Sequence, residues 1–434
     1  MSAKLRVTTL GCKVNQYETE LVRQGLQRVG FQDCADGDQA DVCIVNTCTV
    51  TNQGDVKSRQ VIRRMARDNP DARIVVMGCY ATRAPEEVAK LPGVAEVVTD
   101  KRELPDLMSR FGVVDVPTGL DGFSGRHRAY VKVQDGCLLR CSYCIIPHVR
   151  PKLSSRPLQH IVDEVRRLTD AGHREVVLTG IHLGHYGVDW NRNKPREEWT
   201  RLSDLVRQLC QLPGDFRIRL SSIEATEVTR SLIDVMTEYS DRLVPHVHLC
   251  LQSGSDSVLR RMRRRWGTRM FLDRCRKLEA ALNKPAITTD IIVGFPGETD
   301  AEFEQTLQTC RSAGFSKIHA FPFSARRGTP AAEMPDQLPG DLKSQRVQQL
   351  AELESELRRD YFASLVGESV QVLVESQRDL VTLDHGASPA RLLRGTTCRY
   401  APAEWVSDDS GIATGDLVTA KVTRTDEERL LVSA

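Results

Sequence analysis

No stretch of this 434-residue chain has the apolar length of a membrane span, and its opening Met-Ser-Ala-Lys-Leu-Arg lacks the apolar core of a secretory leader. The expectation is a cytoplasmic protein with no membrane partner. An excess of charge is missing too. With 60 basic and 58 acidic residues the net charge is +2, so a polyanion partner would have to be held by local clusters. The cysteines of Cys137-Leu-Leu-Arg-Cys141-Ser-Tyr-Cys144 lack a fourth companion: no cysteine follows closely, and His148 is the only nearby histidine. A structural zinc site is closed by four protein ligands. In a cytosolic chain, thirteen cysteines are not a disulfide framework, which leaves metal ligands, reactive thiols and core residues.

What is present is concentrated in that loop. Cysteines separated by three and then two residues can converge on one small inorganic centre, and soft thiolates favour zinc or iron-sulfur. Three thiolates suit a cubane cluster in which one iron stays open. An open iron can chelate the amino and carboxylate groups of S-adenosylmethionine, and an electron from the cluster can then split the sulfonium bond to give a carbon radical.

Ahead of the loop the pattern is that of repeated βαβ units. An apolar strand over residues 5–10 ends in Gly11-Cys12, and helical spacing over 18–29 closes at Gly30. Strand 42–45 runs into Asn46-Thr47-Cys48, a charged helix covers 55–68, and strand 74–77 runs into Gly78-Cys79. Cys12, Cys48 and Cys79 thus fall just past the carboxyl ends of successive strands, where an open parallel sheet presents its ligand crevice. The competing reading is burial, since free cysteine is among the most buried residue types. Cys43, inside a strand, and Cys210, Cys275 and Cys310, inside expected helices, are assigned to the core. Cys34 and Cys398 are left open.

After a glycine-containing linker, strands over 129–133, 175–178, 216–221, 246–251, 287–293 and 317–321 alternate with amphipathic segments such as 161–171 and 303–313. This is a parallel, barrel-like sheet whose chemistry gathers at the carboxyl ends of its strands, where the cysteine loop lies. Gln252-Ser-Gly-Ser255 and Gly294-Phe-Pro-Gly-Glu298 belong to the same face, their glycines allowing close backbone approach to a ligand. A helical connector spans 339–365, and beyond Gly367 a period-two alternation through Val370, Val372, Val374, Val381 and Leu383, then 417–422 and 430–432, predicts a small all-β module. Lys421, Arg424, Arg399 and Tyr400 are its candidates for a nucleic-acid surface. The run Arg260-Arg-Met-Arg-Arg-Arg265 is expected to contact phosphates, because its like charges repel unless an anion is near.

Together these features resemble the radical S-adenosylmethionine methylthiotransferase family over nearly the whole chain. Leu10-Gly-Cys-Lys-Val-Asn15, Asn46-Thr-Cys-Thr-Val-Thr-Asn52 with Lys57-Ser-Arg-Gln60, Gly78-Cys79, and Gln134-Asp-Gly-Cys137 through Pro147 carry the resemblance. Gly180-Ile-His-Leu-Gly-His-Tyr-Gly187 is most similar to the branch that acts on tRNA N6-threonylcarbamoyladenosine. The resemblance implies an α/β multidomain chain: an N-terminal open parallel α/β sheet domain (residues 1–116), a central radical SAM partial (β/α)6 barrel (123–355) and a C-terminal small β-barrel, the TRAM RNA-binding domain (367–434). It also implies a methylthio group added to carbon 2 of the modified adenosine next to the anticodon. Two 4Fe-4S clusters and S-adenosyl-L-methionine would be the cofactors. Cys137, Cys141 and Cys144 would ligate the cluster that cleaves S-adenosylmethionine, and Cys12, Cys48 and Cys79 the auxiliary cluster that holds the sulfur. Ser222, Gln252, Ser253 and Gly294 would face the cofactor. Partners would be tRNA, a reduced flavodoxin or ferredoxin type electron donor and a sulfur donor. Leu138, Cys250 and Pro151-Lys152 depart from the family pattern without touching the ligand set. Rival readings are the same chemistry on isopentenyladenosine or a ribosomal-protein aspartate, and a noncatalytic iron-sulfur RNA-binding protein.

Overall fold

The computed structural model describes residues 3–35, 37–380 and 390–434, so the expected strand positions Val381 and Leu383 lie outside the described residues. The N-terminal unit is a parallel sheet of β1 (Lys4–Thr9), β2 (Gln32–Asp33), β3 (Val42–Thr47), β4 (Arg73–Gly78) and β5 (Val94–Val97), in the order β2-β1-β3-β4-β5. The central strand β3 is buried along its whole length, as a strand covered on both faces must be, which is why it reads as a continuous apolar run. The edge strands β2 and β5 were not anticipated. Both are short and partly exposed, and carry no such run.

Two helices start earlier than the apolar periodicity predicts. The first spans Lys13–Arg28, because Asn15, Glu18 and Thr19 are buried polar residues that a hydrophobic pattern does not count. The second spans Asn52–Asp68, started by Thr51, whose side chain accepts the Gly54 N–H.

The central unit contains β6 (Arg128–Asp135), β7 (Ser154–Ser155), β8 (Glu175–Gly180), β9 (Arg217–Leu220), β10 (Ser222–Ile223), β11 (His246–Leu249), β12 (Ala286–Val293) and β13 (Lys317–Pro322). They form two four-stranded sheets, β7-β6-β8-β9 and β10-β11-β12-β13, joined through an Ile218–Leu243 bridge. The six expected strands are thus the parallel staves of a partial barrel, and β7 is an added antiparallel edge. Its core extends into the N-terminal unit, since Tyr17 packs in it.

The helix Gly340–Ser364 leads to a closed barrel of β14 (Ser369–Asp379), β15 (Arg391–Thr397), β16 (Pro402–Ser407), β17 (Leu417–Thr425) and β18 (Leu430–Ser433), in the order β14-β15-β16-β18-β17. This is the small β-barrel of the TRAM resemblance. It is bolted to the central unit by buried arginines: Arg217 donates to the carbonyls of Gln371 (2.8 Å) and Thr396 (2.9 Å), and Arg219 to those of Thr397 (3.0 Å) and Cys398 (3.1 Å). Both also pair with the fully buried Glu175. Burial alone would raise that carboxyl, but the two guanidiniums and Arg128 hold it far below the carboxylate range. Arg399 corrects the expectation of an RNA surface: it is buried and donates to the carbonyls of Asn283 and Lys284, so it serves the interface. Tyr400 packs tilted against His246 at 5.0 Å and stays 40% exposed. Among the described residues no helix is long and apolar enough to cross a membrane.

Candidate active site

The dispersed cysteines meet at one end of the N-terminal sheet. Cys12 follows β1 and precedes the helix Lys13–Arg28, Cys48 follows β3, and Cys79 opens the helix Cys79–Arg83 directly after β4. Gly11 has a φ of +101°, and a Cβ there would lie 3.1 Å from the Cys48 Sγ, so only glycine lets that thiol settle against the turn. Asn15 ties the strand ends together, its Nδ2 donating to the carbonyls of Leu10 (2.8 Å) and Thr47 (3.0 Å). Burial pushes the Cys48 thiol up to about 11, and the neighbouring Cys79 and Cys12 add to the rise.

The cysteine loop follows β6 in the barrel. It is pinned by backbone: Cys137 N–H donates to the Arg150 carbonyl (3.2 Å), Cys144 N–H to that of Cys141 (3.1 Å), and Ser142 N–H to that of Met262 (3.1 Å). Arg264 donates to the Cys141 Sγ at 3.3 Å and pairs with Glu224 at 2.7 Å. His182 Nδ1 lies 3.7 Å from the Cys137 Sγ, its Nε2 meets Glu227, and His185 stacks on it at 3.6 Å. Burial would lower His182, yet Cys137 and Glu227 raise it to about 10, whereas burial and the charge of His182 push His185 down to about 4. Burial raises the Cys144 thiol to about 12.

Arg150 joins the two sets. While its carbonyl holds Cys137, its Nε donates to the Cys79 Sγ at 3.5 Å, and its Nη1 pairs with Glu18 and Asp135, each at 2.8 Å. Cys79 also packs against Ile145 and Val149, just beyond the loop. A second tie comes from Arg326, after β13, which donates to Asp55 (2.7 Å) and Thr49 (2.9 Å) beside Cys48.

The donor sets suit polynuclear clusters. Among the described residues, two sets of three potential ligand atoms lie within 4.8 Å of one another, and both are built from histidines and a carboxylate; neither cysteine trio is drawn so tight. A lone tetrahedral zinc with Zn–S bonds of about 2.3 Å would bring its sulfurs to about 4 Å apart. Three soft thiolates spaced more widely fit a multi-iron cluster instead.

The four residues expected to face a cofactor gather on the strand ends of the second half-barrel. Ser222, exposed on β10, lines a cavity inside the barrel. Gln252 follows β11 with a left-handed φ of +66° and bonds through its backbone to the Asp290 carbonyl and the Ile292 N–H. Ser253 is fully buried, its Oγ accepting the Ser255 N–H at 3.2 Å. Gly294 has a φ of +70°, and a Cβ there would come within 2.4 Å of the Lys343 side chain. Its glycine is therefore required by packing against the connector helix. The basic run is partly committed inside the protein. Arg261 is paired with Glu302 at 2.8 Å and Arg264 with Glu224, leaving Arg260, Arg263 and Arg265 as the exposed members. Arg264, Arg150, His182 and Glu227 were not singled out from sequence, although the first lies in the basic run and His182 in a quoted motif.

Residues 4–100 match the pattern of Uncharacterized protein family UPF0004, and residues 131–310 that of the Radical SAM superfamily. A Bacillus subtilis protein named threonylcarbamoyladenosine tRNA methylthiotransferase MtaB is 42% identical over 388 residues, covering 85% of this chain and 84% of the relative. A Thermotoga maritima protein of the same name is 36% identical, with 86% of each chain covered. A tRNA-2-methylthio-N(6)-dimethylallyladenosine synthase from Corynebacterium diphtheriae is 33% identical, covering 96% of this chain and 84% of the relative. Among solved structures, the radical S-adenosylmethionine methyltransferase TsrM from Kitasatospora setae superposes with a TM-score of 0.56 at 14% identity, covering 76% of this chain and 77% of its own, a likeness of fold.

Proposed function

The chain belongs to the radical S-adenosylmethionine methylthiotransferase family, and from that premise we infer that it adds a methylthio group to carbon 2 of N6-threonylcarbamoyladenosine in tRNA, with S-adenosylmethionine as methyl donor and radical source. The observation that carries this reading is Arg150, one residue whose backbone carbonyl holds Cys137 and whose side chain touches Cys79, so that both thiol trios are tied to the same residue. An aromatic C–H carbon is not acidic, so general base catalysis has little to act on.

Cys137, Cys141 and Cys144 would hold one 4Fe-4S cluster, and Cys12, Cys48 and Cys79 the other. When bound, the pair supplies reductive cleavage of S-adenosylmethionine and a sulfur for transfer. The chain's own part is to hold thiolates in place. Arg264 beside Cys141 and His182 beside Cys137 offer donors to two sulfurs of the barrel loop, and Arg150 offers one to Cys79; at Cys141 the Arg264 guanidinium opposes the rise that burial imposes on the thiol. Ser222, Gln252, Ser253 and Gly294 would form the cofactor rim on the second half-barrel.

The same reading divides the chain into a cluster domain over residues 1–116, a radical domain over 123–355 and an RNA-binding domain over 367–434, supported by the separate sheets in each. Each cleavage consumes an electron and each turnover a sulfur, so a reduced flavodoxin or ferredoxin type protein and a sulfur donor complete the partners. Thirteen free cysteines and a tRNA substrate support the cytoplasm. The test is anaerobic reaction of reconstituted protein with tRNA bearing threonylcarbamoyladenosine, read by nucleoside mass spectrometry. The expected product carries one methylthio group. Its absence, or equal reaction of isopentenyladenosine tRNA, overturns the reading.

A further inference from the structure

The partial barrel encloses a cavity of about 310 Å³ that neither thiol trio occupies. Its lining includes Tyr400, brought from the C-terminal barrel and packed against His246, together with Ser222 and Lys13, the residue after Cys12. A volume of this size is at the lower end for a small-molecule pocket. Through Lys13 its lining adjoins Cys12 in the chain.

The charges in this cavity are unevenly committed. Arg128 and Arg219 are both engaged by Glu175, and Arg128 also by Glu375. The one carboxylate among the lining residues, Asp290, pairs with His248 at 3.3 Å, and His248 is held from its other nitrogen by Thr288 at 2.9 Å. Lys13 is different. Half-buried at the wall, its ammonium has no hydrogen-bond or ion-pair partner among the described residues, yet it lies near enough to His246 for its charge to reach that imidazole. His319, on β13 across the cavity, likewise has both ring nitrogens without a partner among the described residues. A cation set in a concave, partly dry wall and left unpaired is poised for an anion from outside, because pairing there is screened less than at an open surface.

Resting on the proposed function, we propose that this cavity takes the carboxylate-bearing threonyl arm of the modified adenosine, with Lys13 as its counter-ion and His319 as a second hydrogen-bond donor. The threonylcarbamoyl group ends in a carboxylate and a hydroxyl, and the cavity offers one uncommitted cation together with uncommitted ring nitrogens on His319 and on His246, whose Nδ1 is buried without a partner. An isopentenyl arm would strand that cation against hydrocarbon. Because Lys13 adjoins Cys12 in the chain, the residue that reads the arm is fixed to the strand end that holds one candidate sulfur site, which ties recognition of the arm to placement of the base.

The test is binding of fluorescent anticodon stem-loops to the anaerobically reconstituted, full-length protein. One stem-loop carries threonylcarbamoyladenosine, the other its threonine amide, which keeps the size and one acceptor oxygen but removes the charge. The wild-type protein is expected to bind the acid about tenfold or more tighter than the amide. Lys13→Met should reduce that ratio to about two or less, and Lys13→Arg should restore most of it, with iron content matching wild type as the folding control. Equal binding of acid and amide by wild-type protein overturns the proposal even if no variant folds. An acid preference that persists in Lys13→Met also overturns it, since a residue that only supports the fold would weaken both stem-loops alike. If wild-type protein leaves threonylcarbamoyladenosine tRNA unmodified, the functional reading fails first; if it modifies that tRNA while the preference ignores Lys13, only the present inference fails.

Discussion

Replacing Arg150 with methionine removes the guanidinium that touches Cys79 and keeps the backbone carbonyl that holds Cys137, and the loss can be scaled from the side chain's ion-pair partners. The Arg150 side chain is 2% exposed and its ion-pair partner Glu18 is 1% exposed, so the pair is fully inside the protein. Removing one partner of such a pair leaves an uncompensated buried charge and costs about 3–5 kcal/mol. Here the orphaned carboxylates keep some company, because Lys132 lies 2.8 Å and Lys101 3.4 Å from Glu18, and Lys132 also reaches Asp135. The lower end is therefore expected, about 3 kcal/mol, or roughly a hundredfold in the folding equilibrium. The pH dependence gives the loss a signature. Burial alone would raise Glu18, but Arg150, Lys132 and Lys101 hold it well below the usual range, so its contribution is present above the unfolded carboxylate pKa and is lost as pH falls through the folded value. In the variant the Glu18 carboxyl moves up, and protonation relieves it. Urea unfolding at pH 7 and near pH 5 should then show the full deficit at the higher pH and a smaller one at the lower. A loss under about 1 kcal/mol at pH 7, or a deficit that widens on acidification, would refute the reasoning.

Anaerobically reconstituted protein should bind about eight irons, and alanine at Cys137, Cys141 and Cys144, or at Cys12, Cys48 and Cys79, should each remove about half; full iron retention by the second variant would return those cysteines to the core. That second variant should still cleave S-adenosylmethionine under reductant but release no methylthiolated nucleoside, and loss of cleavage despite an intact barrel cluster would end this division of labour. Arg264→Met, which deletes the donor to Cys141, should make the barrel cluster harder to reduce, a shift read by redox titration with electron paramagnetic resonance; an unchanged or higher potential contradicts the contact's role. Lys421 and Arg424 are exposed and without side-chain partners among the described residues, so reversing both charges should weaken tRNA binding and flatten the log–log salt slope by about 1.4 to 1.8; an unchanged slope removes them from the RNA surface. Point changes are preferable to truncation here, because deleting the C-terminal barrel would remove the carbonyls that Arg217 and Arg219 donate to, leaving two buried guanidiniums short of acceptors in the central unit.

What could be read from the sequence depended on whether partners were near in the chain or near only in space. The three cysteines of the barrel loop fall within eight residues, so their spacing alone stated their chemistry. Cys12, Cys48 and Cys79 are far apart, yet each ends a strand, and the parallel order of β1, β3 and β4 turns three strand ends into one place. Position on a repeating unit survives folding. Side-chain partnership does not follow the same rule. The arginine run at 260–265 looked like one anion-binding surface because the carboxylates that neutralise it, Glu224 and Glu302, lie about 40 residues away on either side. Arg399 looked solvent-facing for the same reason, its partners Asn283 and Lys284 lying more than a hundred residues away, just before β12. Gly294 was read as a glycine that lets backbone approach a ligand, and the fold adds a neighbour the sequence did not name, Lys343 on the connector helix, which a Cβ there would meet. In each case the local residue type was informative and the identity of the partner was not. Lys13 lies at the boundary between the two. In sequence it is a cation after a cysteine, and only the fold, by committing every other charge in the cavity, leaves it as the one cation with an anion still to meet.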